Sequence, residues 1–382
     1  MTLAALPTFN KSIDAIQKES LNRLLNEGNY PFMSYEYLHA LEKSNSVNAE
    51  IGWSPFHLSF HEGDAVSGFM PLYKKNNSFG EFVFDHQWAH ALEQANRIYY
   101  PKFLTAIPFT PCETTKFFGR TQSDTLNILE AVKQKMHEDN VESWHILFPN
   151  TNERHLLLDE GFTERYGYRF VWNNRGFESF DDFLKIFTSR QRKNIKKERE
   201  AINKLDITFS TKEGASLSLD DWNIFFRFYV NTYHQRMQKP YFNKQFFELI
   251  HSQKDKLRPV LFIASINDEV IAASLCFRDD LSLYGRHWGA TKDVSGLHFE
   301  CCYYQGIEYC IKNRLDFFDP GVQGEYKIRR GFEPKLSNSY HYILHADFRS
   351  AIERFCADEK RQIMNYLNAC NKYTPIKKEY RI

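Results

Sequence analysis

A charged, glycine-rich stretch follows an apolar run near the end of the sequence. It reads FDPGVQGEYKIRRGF, at 318–332, and contains Glu325, Lys327 and Arg329. The preceding residues have the composition of a buried strand. If that strand lies in an open α/β sheet, the charges leave it at its carboxyl end, where such sheets bind ligands. The stretch would then offer a carboxylate and cations to a crevice. A Glu325–Arg329 ion pair on one helical turn is the alternative.

A second set of chemically useful residues lies where a strand runs into a helix. The segment LYGRHWGATKDVSGL predicts a strand, a glycine-bearing loop from Gly289 to Gly296, and a helix over about 297–313. Unpaired N–H groups at such a junction suit a phosphate or a carboxylate. Arg286 and His287 would add polar groups beside the anion.

The predicted helix carries polar residues on several faces. His298 and Glu300 fall in its first turn, and Tyr304 follows in an otherwise apolar sequence. These residue types can move a proton, so we expect part of the helix to face a cavity. A core helix with satisfied hydroxyl and amide groups is the alternative.

The first half of the chain contains a possible amine site. Glu81 and Asp85 lie four residues apart, Trp88 follows, and YYPK adds Tyr100 and Lys102. Two carboxylates among aromatic rings would suit an ammonium group. His86 and His90 have the spacing of metal ligands on a helix, but no HExxH motif or third ligand accompanies them, so we predict no metal site.

The elements around these residues occur twice. FHLSFHEGDAVSGFMPLYKK and PVLFIASINDEVIAASLCFRDD are both two apolar runs joined by a polar turn, as in a β-hairpin. Each is followed by a helix, a short apolar strand, a charged turn with Gly-Phe, and an aromatic strand. This order predicts two related α/β lobes, although chance similarity of hairpins could also produce it. Between them, SRQRKNIKKERE predicts a basic helix. Its cations would suit phosphates, and a solvated helix face is the alternative.

Composition limits the class of protein. The 382 residues include 49 basic and 48 acidic side chains, so there is no overall field favouring DNA or a membrane surface. Seven cysteines without regular spacing argue against a disulfide framework. No apolar window reaches the roughly 18 residues of a spanning helix, and the N terminus lacks a basic leader. A cytoplasmic protein without a membrane span is expected.

Several motifs resemble a known family. SFGEFVFDHQWA, YYPKFLTAIPFTP, SRQRKNIKKER, LHFECCYYQGIEYCI and PGVQGEYKIRRGF together resemble the bacterial predicted N-acyltransferases formerly labelled peptidoglycan biosynthesis/recognition proteins. The resemblance spans nearly the whole chain. It implies tandem GNAT-like lobes with mixed central sheets flanked by helices, related to the Fem-type peptidyltransferases.

The resemblance also implies an activity: transfer of an acyl or aminoacyl group from acyl-CoA or aminoacyl-tRNA to a small-molecule or peptide amine. Neither donor would be tightly bound as a cofactor. The loop RHWGATKDVSGL lacks the Gly-x-Gly spacing of acetyl-CoA enzymes, which leaves the donor open. A non-catalytic module that binds a peptidoglycan-like peptide or amino-acid derivative is the alternative, and a tRNA-binding protein is a third possibility.

These inferences predict a division of the chain and a set of site residues. The lobes would cover 1–178 and 205–382, with a helical connector at 179–204. Proton transfer is predicted for Glu325, Glu300, His298 and Tyr304. The predicted substrate-binding residues are Glu81, Asp85, Trp88, Tyr100, Lys102, Arg286, His287, Trp288, Gln323, Lys327 and Arg329. The reaction is expected in a cleft between the lobes.

Overall fold

A computed structural model describes residues 6–25, 30–322 and 324–381 of the chain. Gln323, one of the predicted substrate-binding residues, lies outside these residues. The described chain divides into two compact units. The first comprises the described residues of 1–27, 32–167 and 336–364, and the second those of 28–31, 168–335 and 365–382.

Strands and helices alternate along the chain, as expected for an α/β protein. The strands are β1 Thr8–Asn10, β2 Trp53–Pro55, β3 His57–Glu62, β4 Ala65–Met70, β5 Tyr73–Lys75, β6 Lys102–Thr105, β7 Phe118–Gly119, β8 Ser143–Leu147, β9 Thr163–Asn173, β10 Thr208–Glu213, β11 Pro259–Ile266, β12 Glu269–Arg278, β13 Ser282–Ala290, β14 Phe317–Asp319 and β15 Glu333–Ile343. The helices are α1 Lys18–Leu25, α2 Tyr35–Lys43, α3 His86–Gln94, α4 Gln122–Asp139, α5 Arg154–Asp159, α6 Phe180–Leu184, α7 Ser189–Asn203, α8 Leu219–Gln235, α9 Lys244–Ser252, α10 Lys254–Leu257, α11 Leu297–Phe299, α12 Gln305–Lys312 and α13 Ala346–Tyr373.

The first unit contains two groups of paired strands. Strands β1, β3, β4 and β7 form one sheet, in which the β3–β4 hairpin is antiparallel. Strands β2, β5, β6, β8 and the 336–343 part of β15 are paired in that order, and β6 and β8 are parallel. Helix α4 begins with a capping box between Thr121 and Asp124. Its buried face, with Ile128 and Val132, packs into the core beside Trp144.

The second unit repeats this plan. Strands β10, β11, β12, β13, β14 and the 168–173 part of β9 are paired in that order. The β11–β12 hairpin is antiparallel, and β13 and β14 are parallel. Each unit therefore has a hairpin, a parallel strand pair and a helix before the second parallel strand. The duplication predicted from the order of elements is confirmed.

One glycine changes the predicted strand-to-loop boundary in the second unit. Gly289 lies inside β13, paired with Ala273, and not in the loop where the sequence placed it. A Cβ at Gly289 would stand 2.3 Å from the backbone of Phe228 on α8. The helix therefore approaches the strand more closely than any side chain would allow. Thr232 of α8 strengthens the contact by donating to the Trp288 carbonyl at 3.1 Å.

Candidate functional site

A pocket of about 960 Å³ lies wholly within the second unit. Its wall combines α7, Phe299 at the end of α11, a 3₁₀ turn at Glu325–Arg330, and the last part of α13. The charged stretch singled out in the sequence is therefore folded as a tight turn beside a concavity. We call the turn Glu325–Arg330 the corner.

Two glycines set the shape of the corner. Gly324 precedes it with φ of 109°, and a Cβ there would stand 2.4 Å from the Tyr326 ring. Gly331 ends it with φ of 87°, where a Cβ would meet the Phe183 and Phe187 rings at 2.7 and 2.8 Å. Both positions combine a backbone that favours glycine with close aromatic neighbours. The Tyr326 ring lies over Gly324 for this reason.

Buried charges fix the start of the corner. Asp319, at the end of β14, accepts from Arg169 Nη1 at 3.0 Å and from the Gly321 N–H at 2.9 Å. Arg286 Nη2 lies 3.7 Å from Oδ1 of Asp319. Lys327 Nζ donates to the Gly321 carbonyl at 2.5 Å. Burial lowers the pKa of Lys327 to about 8, against the opposing effect of Asp319. Two of the predicted anion-binding residues, Arg286 and Lys327, thus surround one carboxylate.

Two predicted residues lie on the exposed wall of the pocket. Glu325 accepts a hydrogen bond from the Tyr366 hydroxyl at 2.7 Å. Within the described residues, Glu325 forms no ion pair with Arg329, although both line the pocket. The Arg329 carbonyl accepts from Gln191 Nε2 on α7 at 2.7 Å, and Arg329 is an exposed residue. Glu325 therefore keeps one oxygen open to a ligand.

His298 occupies an aromatic environment next to the pocket. Its ring centroid lies 5.4 Å from those of Trp288 and Tyr303, and 6.4 Å from that of Tyr326. Burial, followed by the charges of Lys327 and Arg330, lowers the pKa of His298 to about 4. The imidazole is therefore neutral at pH 7 and can accept a proton.

The other two predicted proton-transfer residues are buried and already hydrogen-bonded. Glu300 accepts from Arg199 Nη2 at 2.8 Å and from Gln305 Nε2 at 2.9 Å. Tyr304 donates to Glu198 at 2.6 Å, and burial followed by Glu198 raises the pKa of the phenol. Their predicted chemical roles stay predictions.

Glu198 on α7 is a pocket residue that the sequence analysis missed. It accepts from Arg330 Nη2 at 3.0 Å through both oxygens, and Arg330 lies 3.4 Å above the Phe299 ring centroid. The sequence did contain a signal for Glu198, because residues four apart lie on the same face of a helix. Arg190, Asn194 and Glu198 have that spacing and all line the pocket. The segment was interpreted from its cations alone.

His287 lies on the side of β13 that α8 covers. Its ring packs edge-on against Tyr229 and Phe242, with centroids 5.0 and 5.3 Å apart. Burial, followed by the charge of Arg286, lowers the pKa of His287 to about 3. The neighbouring Trp288 instead contacts His298.

The five site residues predicted in the first half belong to the first unit. Lys102 is fully buried and donates to Glu81 and Ser78, both at 2.8 Å, and to Asp85. Burial raises the pKa of Glu81 to about 7, although Lys102 opposes this. For Asp85 burial raises the pKa, but Lys102, His145 and Ser78 together outweigh burial, so the pKa is lowered. The ammonium held by these carboxylates in the structure is the chain's own.

Tyr100 and Trp88 surround this cluster. The Tyr100 hydroxyl lies 2.8 Å from Ser78 Oγ. Trp88 stacks beneath Arg165, with the guanidinium 4.8 Å from the ring centroid, and meets His341 edge-on at 4.7 Å. Their predicted role in substrate binding stays a prediction.

No group of three or more His, Cys, Asp or Glu side chains within the described residues could hold a metal ion. His90, one of the two histidines with metal-like spacing, instead lies 3.0 Å from Gln94.

None of the helices in the described part of the chain combines the length and apolar content that crossing a membrane requires.

Comparison with solved structures identifies the fold. FemX superposes with a TM-score of 0.54 at 11% identity, over 88% of this chain and 98% of that one. L-PGS from Bacillus licheniformis superposes with a TM-score of 0.52 at 12% identity, over 88% of this chain and 96% of that one. A tandem GNAT protein from the clavulanic acid biosynthesis pathway superposes with a TM-score of 0.44 at 6% identity, over 88% of this chain and 98% of that one. The superpositions on FemX and L-PGS confirm the predicted α/β fold class.

A comparison with curated proteins finds no match. The family model FemAB-like, described as peptidoglycan biosynthesis/recognition, matches residues 12–378. That range includes both units and every residue of the pocket. The chain is therefore a member of the FemAB-like family.

Proposed function

We propose that this protein is an N-acyltransferase that moves an acyl or aminoacyl group from an activated donor to an amine. The carrying observation is the pocket of the second unit, in which a glycine-framed corner supplies Glu325 and Tyr326, and the Tyr326 ring centroid lies 6.4 Å from that of His298. Membership of the FemAB-like family and the fold shared with FemX support a transferase.

The step is nucleophilic acyl substitution. The amine nitrogen forms a bond to the carbonyl carbon, and the bond from that carbon to the donor's sulfur or oxygen breaks. Glu325 accepts the amine proton, since one of its oxygens is open to the pocket. His298 is the second choice of base. Tyr326, whose side chain is exposed, returns a proton to the leaving group, and the backbone N–H of Gly324 would stabilise the developing oxyanion.

The donor is acyl-CoA or aminoacyl-tRNA, bound as a co-substrate and not as a resident cofactor. Both carry phosphates. Arg190 and Arg329 line the pocket, and both side chains are exposed. Two guanidinium groups at the rim would bind phosphate oxygens.

The acceptor is a small molecule or peptide with a free amine. Glu198 and Glu325 give the same pocket two carboxylates, and Tyr326 and Tyr373 give it aromatic faces. An ammonium group is attracted to both kinds of surface before it loses its proton to the base.

The test is a transfer assay with Glu325→Gln. Purified protein is incubated with acyl-CoAs or charged tRNAs and a mixture of amines, and new amides are detected by mass spectrometry. Loss of a general base predicts a fall of about 10²–10⁴-fold in turnover. The matched control is Glu353→Gln, an exposed carboxylate on α13 that does not line the pocket.

Two results would contradict the proposal. Unchanged turnover in Glu325→Gln removes that carboxylate from the mechanism. Saturable binding of a peptidoglycan-like peptide or amino-acid derivative, with no amide formed from any donor, would identify the protein as a binding module.

A further inference from the structure

The helix beside the pocket contains an unusual turn. Between α11 and α12, residues Glu300–Tyr304 are π-helical, and the Gln305 N–H bonds back to the Glu300 carbonyl, five residues away. A π turn holds one residue more than an α turn and is often found at functional sites. We call the continuous element Leu297–Lys312 the central helix.

This extra residue changes which side chains share a face. Glu300 and Glu308 are eight residues apart. In a regular α-helix, positions i and i+8 lie roughly 12 Å apart along the axis and about 80° apart around it. One additional residue in a π turn reduces the angle to about 20°. The two carboxylates consequently lie on the same side of the central helix.

One guanidinium from α7 binds both carboxylates. Arg199 Nη2 lies 2.8 Å from Glu300 Oε1, and Nη1 lies 2.7 Å from Glu308 Oε1. The guanidinium also stacks on Phe180, 4.4 Å from the ring centroid. Glu300 is only 3% exposed, so this pairing satisfies a charge that would otherwise be costly to bury.

We propose that Arg199 is a positioning residue, which holds the central helix in its π register and so fixes His298 and Phe299 against the pocket. The inference rests on the proposed function in that it assigns Arg199 to the same site. Without the extra residue, the part of the helix before the turn would rotate by about 100° relative to the part after it.

The residues before the turn are those that reach the pocket. Phe299 lines it and lies 3.4 Å beneath the guanidinium carbon of Arg330. His298 is surrounded by Trp288 and Tyr326. A rotation would remove both side chains from these partners while leaving α12 packed in the core. Arg199 touches neither side chain and acts on them through the helix.

The test observes His298 directly by NMR. Its ring signal is identified by loss in His298→Gln, and its pKa is measured in the parent and in an Arg199→Met/Glu300→Gln double variant. The double change removes both buried charges together, so neither is left unpaired. In the parent the pKa of His298 is about 4, because burial and the nearby Lys327 and Arg330 disfavour the cation.

The proposal predicts that the pKa rises toward the ordinary value of 6.5 in the double variant. The matched control is Lys212→Met/Asp221→Asn, which removes another partly buried ion pair of the same unit, of 2.6 Å, and should leave His298 unchanged. An unchanged pKa in the folded double variant would overturn the proposal. So would an equal rise in the control.

A third variant covers loss of folding. Glu308 is 39% exposed, and Glu308→Gln removes half of the contact while Glu300 stays paired. A rise in the His298 pKa that is smaller than the rise in the double variant supports the proposal. The absence of any rise contradicts it. These readouts need no substrate. A shift of His298 in a protein that forms no amide would therefore refute the transferase and leave the positioning role intact.

Discussion

The buried ammonium of Lys102 allows one prediction to be worked out from the structure. Lys102→Met removes the cation that pairs with Glu81 and Asp85 in the interior of the first unit. Both carboxylates are at most 3% exposed. Breaking a buried ion pair by removing one partner costs about 3–5 kcal/mol, because the other charge stays buried without compensation. We expect a loss of that size in the free energy of unfolding.

The assay is urea unfolding followed by circular dichroism at pH 7. A second change separates charge from packing. Lys102→Met/Asp85→Asn should regain on the order of 1–3 kcal/mol, since the amide needs no counter-ion. Lys75→Met is the matched control. It is also fully buried, but its ammonium lies 3.9 Å from Glu81 and burial lowers the pKa of Lys75 to about 7. About half of the Lys75 amine is already neutral at pH 7, so Lys75→Met should lower the free energy of unfolding by less than Lys102→Met does.

Either of two results would refute this reasoning. If Lys102→Met loses less than about 1 kcal/mol, the ammonium does not compensate the carboxylates as the geometry requires. If Asp85→Asn gives no recovery, the destabilisation comes from packing and not from charge.

Three further predictions concern single positions. Gly289→Ala should destabilise by about 1–3 kcal/mol in urea unfolding, because its methyl group would meet the α8 backbone, and no loss would mean the helix can move away. Gly324→Ala should displace the Tyr326 ring, seen as changed tyrosine NMR shifts, whereas Gly321→Ala, with φ of 93° and only the Gly285 carbonyl oxygen near the new Cβ, at 3.8 Å, should not; equal shifts would contradict this. His145 is buried with a pKa lowered to about 3 by burial and by Lys102, so the folded state takes up fewer protons than the unfolded one below pH 6.5. Stability should therefore fall from pH 7 to pH 5, by about 2 kcal/mol from this residue, and His145→Gln should reduce the fall; an equal fall in both proteins would contradict it.

Local sequence patterns predicted the elements well. The hairpins were visible because alternating apolar residues flank short polar turns, as in β11–β12 around Asn267 and Asp268. The helix starting at Leu297 was visible from the loop that precedes it. The duplication followed from the order of these elements. Such signals depend on neighbouring residues alone, and the fold preserves them.

The features that the sequence did not predict depend on contacts between residues that are far apart in the chain. Gly289 looked like a loop residue, because nothing nearby indicates that α8 packs on it. Lys102 and Asp85 were predicted to bind substrate, and the spacing of charges could not reveal that they also bind each other. Tyr366 bonds Glu325 across 41 residues of sequence. The π turn was also missed, and the arginine that binds Glu300 in it lies on another helix.

The central claim is that acyl transfer takes place in the pocket of the second unit. Ala369 lines that pocket on α13, and the adjacent Asn368 is exposed but does not. The most direct measurement is the transfer rate of Ala369→Cys after maleimide labelling, beside labelled Asn368→Cys and labelled parent protein. The account predicts that transfer is abolished only in labelled Ala369→Cys, where the label fills the pocket. Equal rates in all three labelled proteins would contradict it.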